Sequence, residues 1–135
     1  VSAGADILTA DQRVVLDGLP ADEPLVMLNL LRFRETADYH GSGPACSGVE
    51  AYKRYSRVAF EAVTSVGGEV IFAGRAAPAL IAPEGETWHQ VFMVRYPSPQ
   101  AFLAMMDIPE YRAAVHHRTA ALADSRLVAI SPASP

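Results

Sequence analysis

Apolar and polar positions follow one another in blocks whose period changes along the chain, and each change marks an element. From Leu25 to Phe33 apolar residues run almost without a break, as in a short strand covered on both faces. Beyond a polar stretch, Tyr52, Tyr55, Ala59, Phe60 and Val63 recur at helical spacing. A second strand is expected from about Glu69 to Leu80, with Gly74 as a bulge or a point of close approach. The third runs from Trp88 to Tyr96, with Val91, Met93 and Arg95 on one face and Gln90, Phe92 and Val94 on the other. Phe102, Met105 and Met106 form the stripe of a further helix, which Pro109 breaks and restarts through Tyr111, Val115 and Leu122. Arg126 to Ile130 is the last strand.

Punctuation agrees with these blocks. Thr9-Ala10-Asp11-Gln12 reads as a capping box, and the short helix after it should stop near Gly18-Leu19-Pro20. Ser47-Gly48-Val49-Glu50 is a second such box, opening the helix that ends at Gly67-Gly68. Ser98-Pro99 places a cap and a proline in the first turn of the third. Residues 34 to 48, rich in Gly, Ser and Pro, form a long loop of the kind that often carries function. The stretch from Ala82 to Thr87 is a turn, and Ser131 to Pro135 is a frayed tail.

The order is β-α-β-β-α-β behind an N-terminal helix, a split βαβ arrangement of the ferredoxin-like, α+β kind. It predicts one domain, ordered from about residue 8 to 130, with a four-stranded antiparallel sheet and helices on one face. The other face is left bare and largely apolar. A second copy of the same sheet would cover it, so a homodimer is expected.

Composition narrows the class. The chain has 135 residues, 50% of them hydrophobic and 19% charged, which suits a globule able to bury its own core. A net charge of −4 gives no basic face for nucleic acid. No apolar run approaches the roughly 20 residues that cross a bilayer, and no secretory signal is read at the start, so the expected address is the cytoplasm. One cysteine, Cys46, excludes an internal disulfide.

A set of motifs resembles a known family. Val26-Met-Leu-Asn-Leu-Leu-Arg-Phe-Arg34, Cys46-Ser-Gly48, Tyr52-x-x-Tyr55, Val66-Gly-Gly68, Val94-Arg-Tyr-Pro-Ser98, Phe102-Leu-Ala-Met-Met106, Pro109-Glu-Tyr111, His117-Arg-Thr-Ala-Ala-Leu122 and Asp124-Ser-Arg-Leu127 together resemble the domain of unknown function 1330 family. The resemblance covers about residue 24 to 130 and implies the dimeric α/β-barrel superfamily, in which two ferredoxin-like sheets face each other. Its relatives include cofactor-free monooxygenases acting on aromatic polyketides, polyketide cyclases, muconolactone isomerases and haem-dependent chlorite dismutases. One departure stands out: the residue after the tryptophan, usually acidic in the family, is His89 here.

Candidate chemistry centres on the histidines. His89, beside Arg95 on its strand face, could move a proton while the arginine holds an acidic substrate, or could simply face water at a strand end. His116 and His117 point about 100° apart on one helix, so one is expected inside and one outside, with Asp124 as a possible orienting partner. Asn29 and Arg32, polar in an apolar strand, need partners, and either could hold an enolate or carboxylate oxygen or else make an edge or dimer contact. Tyr52, Tyr55 and Tyr96 could line a pocket or be plain core. Cys46, just before a capped helix, lacks a paired base and suits packing better than nucleophilic attack.

No metal is expected, since neither His-x-His nor HExxH occurs, and a haem held by His116 or His117 fits poorly with so short a chain. Two functional readings follow. One is a cofactor-independent enzyme acting on an aromatic or carbonyl-bearing acid, by proton transfer (isomerase, cyclase or decarboxylase) or by cofactor-free oxygenation. In it His116, His117 or His89 moves the proton, Arg32 and Arg95 anchor charge, Asn29 stabilises an oxyanion, and Tyr55 and Tyr96 line the pocket. The other is a non-catalytic module that binds a small molecule or only dimerises.

Overall fold

The computed structural model describes residues 7–132. Its central strand is β1 (Leu25–Phe33), bounded as the apolar run predicts. Before it comes α1 (Ala10–Asp17), where both bonds of the capping box between Thr9 and Gln12 are made. After it come α2 (Gly48–Ser65), β2 (Glu69–Arg75), β3 (Gln90–Tyr96), α3 (Pro99–Met106), α4 (Pro109–Ala121) and β4 (Leu122–Ile130). The sheet is antiparallel in the order β2-β3-β1-β4. This is the α+β arrangement expected from the element order, with its second helix broken in two at Pro109.

Several boundaries differ. β2 stops at Arg75, five residues early: the Ala76 amide makes a last bond to the His89 carbonyl, Ala77-Pro78 leaves the ladder, and Leu80 and Ile81 stand 99% exposed in the connection to β3. The irregularity expected at Gly74 falls at Ile71, where the register with β3 shifts. β4 starts at Leu122, directly at the end of α4, four residues before the expected Arg126. At α2 only half of the expected box forms: the Ser47 hydroxyl accepts from the Glu50 amide, capping the helix alone. The tail expected to fray lies outside the described residues from 133 onward.

Alternation along β1 sorts the sheet into two faces. Leu25, Met27, Asn29 and Leu31 are buried toward the helices, with Val94 and Tyr96 of β3. Val26, Leu28, Leu30 and Arg32 point the other way, next to Met93, Phe72, Val128 and Ile130. Among the described residues no helix covers that second face, and Phe72, Val128 and Ile130 are 56%, 47% and 40% exposed. On the first face α2 and α4 pack together, while β2 lies exposed beside them. A space therefore stays open between α2 and the β2 side of the sheet.

Candidate functional site

That space is a cavity of about 410 Å³ between sheet and helices. Met27, Phe92, Val94, Val63, Phe102 and Met105 give it an apolar body, and the exposed Phe60, Val70 and Lys53 stand around its mouth. Polar groups are few. Tyr52 and Tyr55 enter from α2, Tyr96 from β3, Tyr111 and Arg118 from α4, and Asn29 from β1. Among the described residues no carboxylate, imidazole or thiol lines it.

Helical spacing explains the wall. Positions 111, 115 and 118 share one face of α4, so Tyr111, buried Val115 and Arg118 look at the sheet together. On α2, Tyr52 and Tyr55 are three apart and turn inward side by side, ring centroids 5.3 Å apart. The Tyr55 and Tyr111 hydroxyls meet at 2.7 Å and tie α2 to α4. Burial pushes the pKa values of Tyr52, Tyr55, Tyr96 and Tyr111 upward, and the nearby Arg118 charge offsets this only in part at Tyr52, Tyr55 and Tyr111. All four stay protonated donors at neutral pH.

Arg118 makes no hydrogen bond or ion pair with another described residue. It stands with Leu127 of β4 toward the end of the cavity away from β2, and Asn29 is the register partner of Leu127. The Asn29 amide donates to the Met27 carbonyl at 3.3 Å, which fixes the side chain and leaves its oxygen as the acceptor.

The structure gathers Asn29, Tyr52, Tyr55 and Tyr96 at this cavity and places the other sequence candidates elsewhere. Arg32 lies on the uncovered sheet face opposite Asp124, its Nε buried without a hydrogen-bond partner among the described residues. Arg95 is on that face too, paired with Glu69 of β2. His89 sits just before β3 at the rim of a neighbouring groove, stacked on Phe33. Its Nδ1 accepts the Phe33 amide at 2.9 Å, and its own amide donates to Leu31 at 2.8 Å, so it pins the end of β1. An acceptor is what this position demands, and a carboxylate would serve as well as the imidazole.

His116 and His117 lie on the outer side of α4. His116 is exposed and donates through Nδ1 to the Ala113 carbonyl. His117 is half-buried beneath the loop that follows β1, where Nδ1 meets the Tyr39 hydroxyl at 2.6 Å, and Arg54 donates to the same oxygen at 3.4 Å. The expected partner Asp124 is engaged instead with Arg126 and the Ser125 amide. Burial, then the neighbouring His116 and Arg54, lower the His117 pKa from its ordinary 6.5. The folded chain thus takes that proton less readily than the unfolded one. His117 therefore contributes stability in full above pH 6.5 and loses it as pH falls through the lower folded value. Thermal melts between about pH 7 and 5 should show a smaller loss for His117→Gln than for the wild type. Parallel losses would remove this histidine as the source.

Sequence reasoning missed Arg118 and Tyr111. The first enters only within the His117-Arg-Thr motif and the second as part of an apolar stripe, although their seven-residue spacing puts both on one helix face. Among the described residues no cluster of His, Cys, Asp or Glu is arranged to hold a metal, and no helix is long and apolar enough to cross a membrane.

Sheet order, helices on one face and the enclosed space define an α+β domain of ferredoxin-like fold with a cavity of small-molecule size. The chain belongs to the family described as domain of unknown function (DUF1330), whose model matches residues 46–131. Two crystal structures of the RPA0582 protein of Rhodopseudomonas palustris are similar throughout. The methylated form is 38% identical with a TM-score of 0.87, covering 98% of either chain. The other, described as a protein of unknown function, is 37% identical with a TM-score of 0.86, over 98% of this chain and 99% of that one. A dabb family protein with a ferredoxin-like fold from Mesorhizobium loti is 16% identical over 83% of this chain and 99% of its own, with a TM-score of 0.53, a likeness of fold alone. No curated protein matches.

Proposed function

We propose that this protein binds a small, mostly apolar acid in the cavity between its sheet and helices, with the acid group on Arg118. One observation carries the reading: a guanidinium with no bonded partner among the described residues stands on an apolar cavity whose described wall holds no negative charge. A cation left without a partner beside apolar surface is unfavourable, and a carboxylate from a ligand would satisfy it. Phe92, Phe102 and the tyrosine rings suit a flat or aromatic body. The described wall offers no carboxylate, imidazole or thiol, which supports holding the acid more directly than abstracting a proton from it. Two copies pairing through the uncovered sheet faces complete the proposal, since Phe72, Val128 and Ile130 then leave water.

The test is binding of 2-naphthoate and of uncharged 2-naphthalenemethanol, followed by calorimetry. Arg118→Gln should weaken the acid by about 10- to 100-fold, the worth of one charge-assisted pair, and leave the alcohol nearly unchanged. Equal losses for both, or no binding of either by the wild type, would refute the assignment.

A further inference from the structure

The tyrosine hydroxyls on the cavity wall have a use that anchoring an acid does not consume. Tyr55 and Tyr111 share a 2.7 Å bond, in which either oxygen can be the donor. Two hydroxyls hold two protons, and their mutual bond uses one. The second O–H finds no acceptor among the described residues, and both side chains line the cavity. Tyr52 and Tyr96 open onto the same space, and their hydroxyls bond to no other described residue. A ligand oxygen entering there meets donors on several sides and, toward β4, a positive charge on Arg118.

We propose that the cavity holds a bound phenol or enol as its anion, the charged oxygen accepting from the Tyr55 and Tyr111 hydroxyls. The inference rests on the reading of the cavity as a ligand site and adds the ionisation state that the site selects. In the step itself the ligand O–H bond breaks and its electron pair stays on oxygen. For a carbon acid, the C–H pair moves into the enolate. The proton passes to water at the mouth, because no carboxylate, imidazole or thiol on the described wall can take it. Both tyrosines keep their own protons and turn them toward the ligand, exchanging one neutral bond for two charge-assisted ones.

Burial by itself opposes any anion here, and at the tyrosines it prevails over Arg118. The ligand oxygen differs in what it receives. A wall tyrosine gets at most one donated hydrogen bond, from its neighbour, whereas the ligand oxygen gets two from preorganised hydroxyls, which need no solvent rearrangement to act.

The probe is 4-nitrophenol, whose phenolate is yellow and whose phenol is not. Titrated from acid to alkali with wild-type protein in excess, it should ionise with a midpoint about one pH unit or more below that of the free compound, which corresponds to roughly tenfold tighter binding of the phenolate. Tyr55→Phe combined with Tyr111→Phe should still bind the compound while moving the midpoint back to its free value or above it, since burial then acts without the two donors. If the pair of substitutions unfolds the chain, Tyr55→Phe alone should reduce the shift, since Tyr111 then donates alone. An unshifted or raised midpoint in the wild type overturns the inference. So does a cavity that takes 2-naphthoate and refuses 4-nitrophenol. Failure to take either compound instead overturns the ligand-site reading beneath it.

Discussion

Gly48→Ala is expected to destabilise the fold by about 3 kcal/mol or more, lowering the thermal midpoint by roughly 10 °C or beyond. Gly48 opens α2 where the chain leaves β1 and where α4 hands over to β4. A methyl group there would meet the Arg34 carbonyl oxygen at 2.2 Å, the Ala121 oxygen at 2.7 Å and the Arg34 nitrogen at 2.9 Å. All three are backbone atoms, held in turn by the bond from the Arg34 amide to Ala121. No rotamer change relieves such a clash, so the helix start has to move off the sheet. Gly43 offers the control. Its φ of 75° strains any other residue, yet nothing lies within 4 Å of an added methyl. Gly43→Ala should therefore cost about 1–2 kcal/mol, the price of a left-handed backbone alone. Denaturant melts of the two variants decide the matter, and equal losses would show that close approach is not the cause.

A second large effect is expected at the uncovered sheet face. Leu28 lies at its centre, with Met93 on one neighbouring strand and Val128 on the other. In the proposed pair of sheets an aspartate at this position would be buried without a partner, at a penalty of several kcal/mol. Sedimentation of Leu28→Asp should show a monomer at concentrations where the wild type is a dimer. No helix of the same chain packs on this side chain, so circular dichroism should be nearly that of the wild type. A wild type that sediments as a folded monomer when dilute would remove the dimer from the proposal.

Most of the architecture was legible because local signals coincide. Apolar continuity gave β1 its limits, Pro109 broke the last helix where expected, and the Thr9 box closed with both of its bonds. Boundaries slipped where the decisive contact lies far away in sequence. Leu80 reads as the end of a strand because it is apolar, but the ladder with β3 ends before it. The site was legible in part: Asn29, Tyr55 and Tyr96 sit where periodicity and alternation put them, on the cavity wall. His117 could not be placed from its own helix, since what decides its surroundings is Tyr39, 78 residues away. Arg118 was hidden for the opposite reason. Its placement is local and follows from helical spacing, yet two adjacent histidines drew the chemistry away from it.

The register shift at Ile71 has a consequence for solubility. β2 is an outer strand of the sheet, and Val70, Ile71 and Phe72 are 46%, 45% and 56% exposed along it. Three consecutive large apolar residues on an open, straight edge would form a template onto which strands of other molecules could add, the route to fibrous aggregates. The extra residue bends the strand and puts its free amides out of step with any incoming ladder. Removing that single residue should straighten the margin of the sheet and raise the tendency of the chain to add to its neighbours.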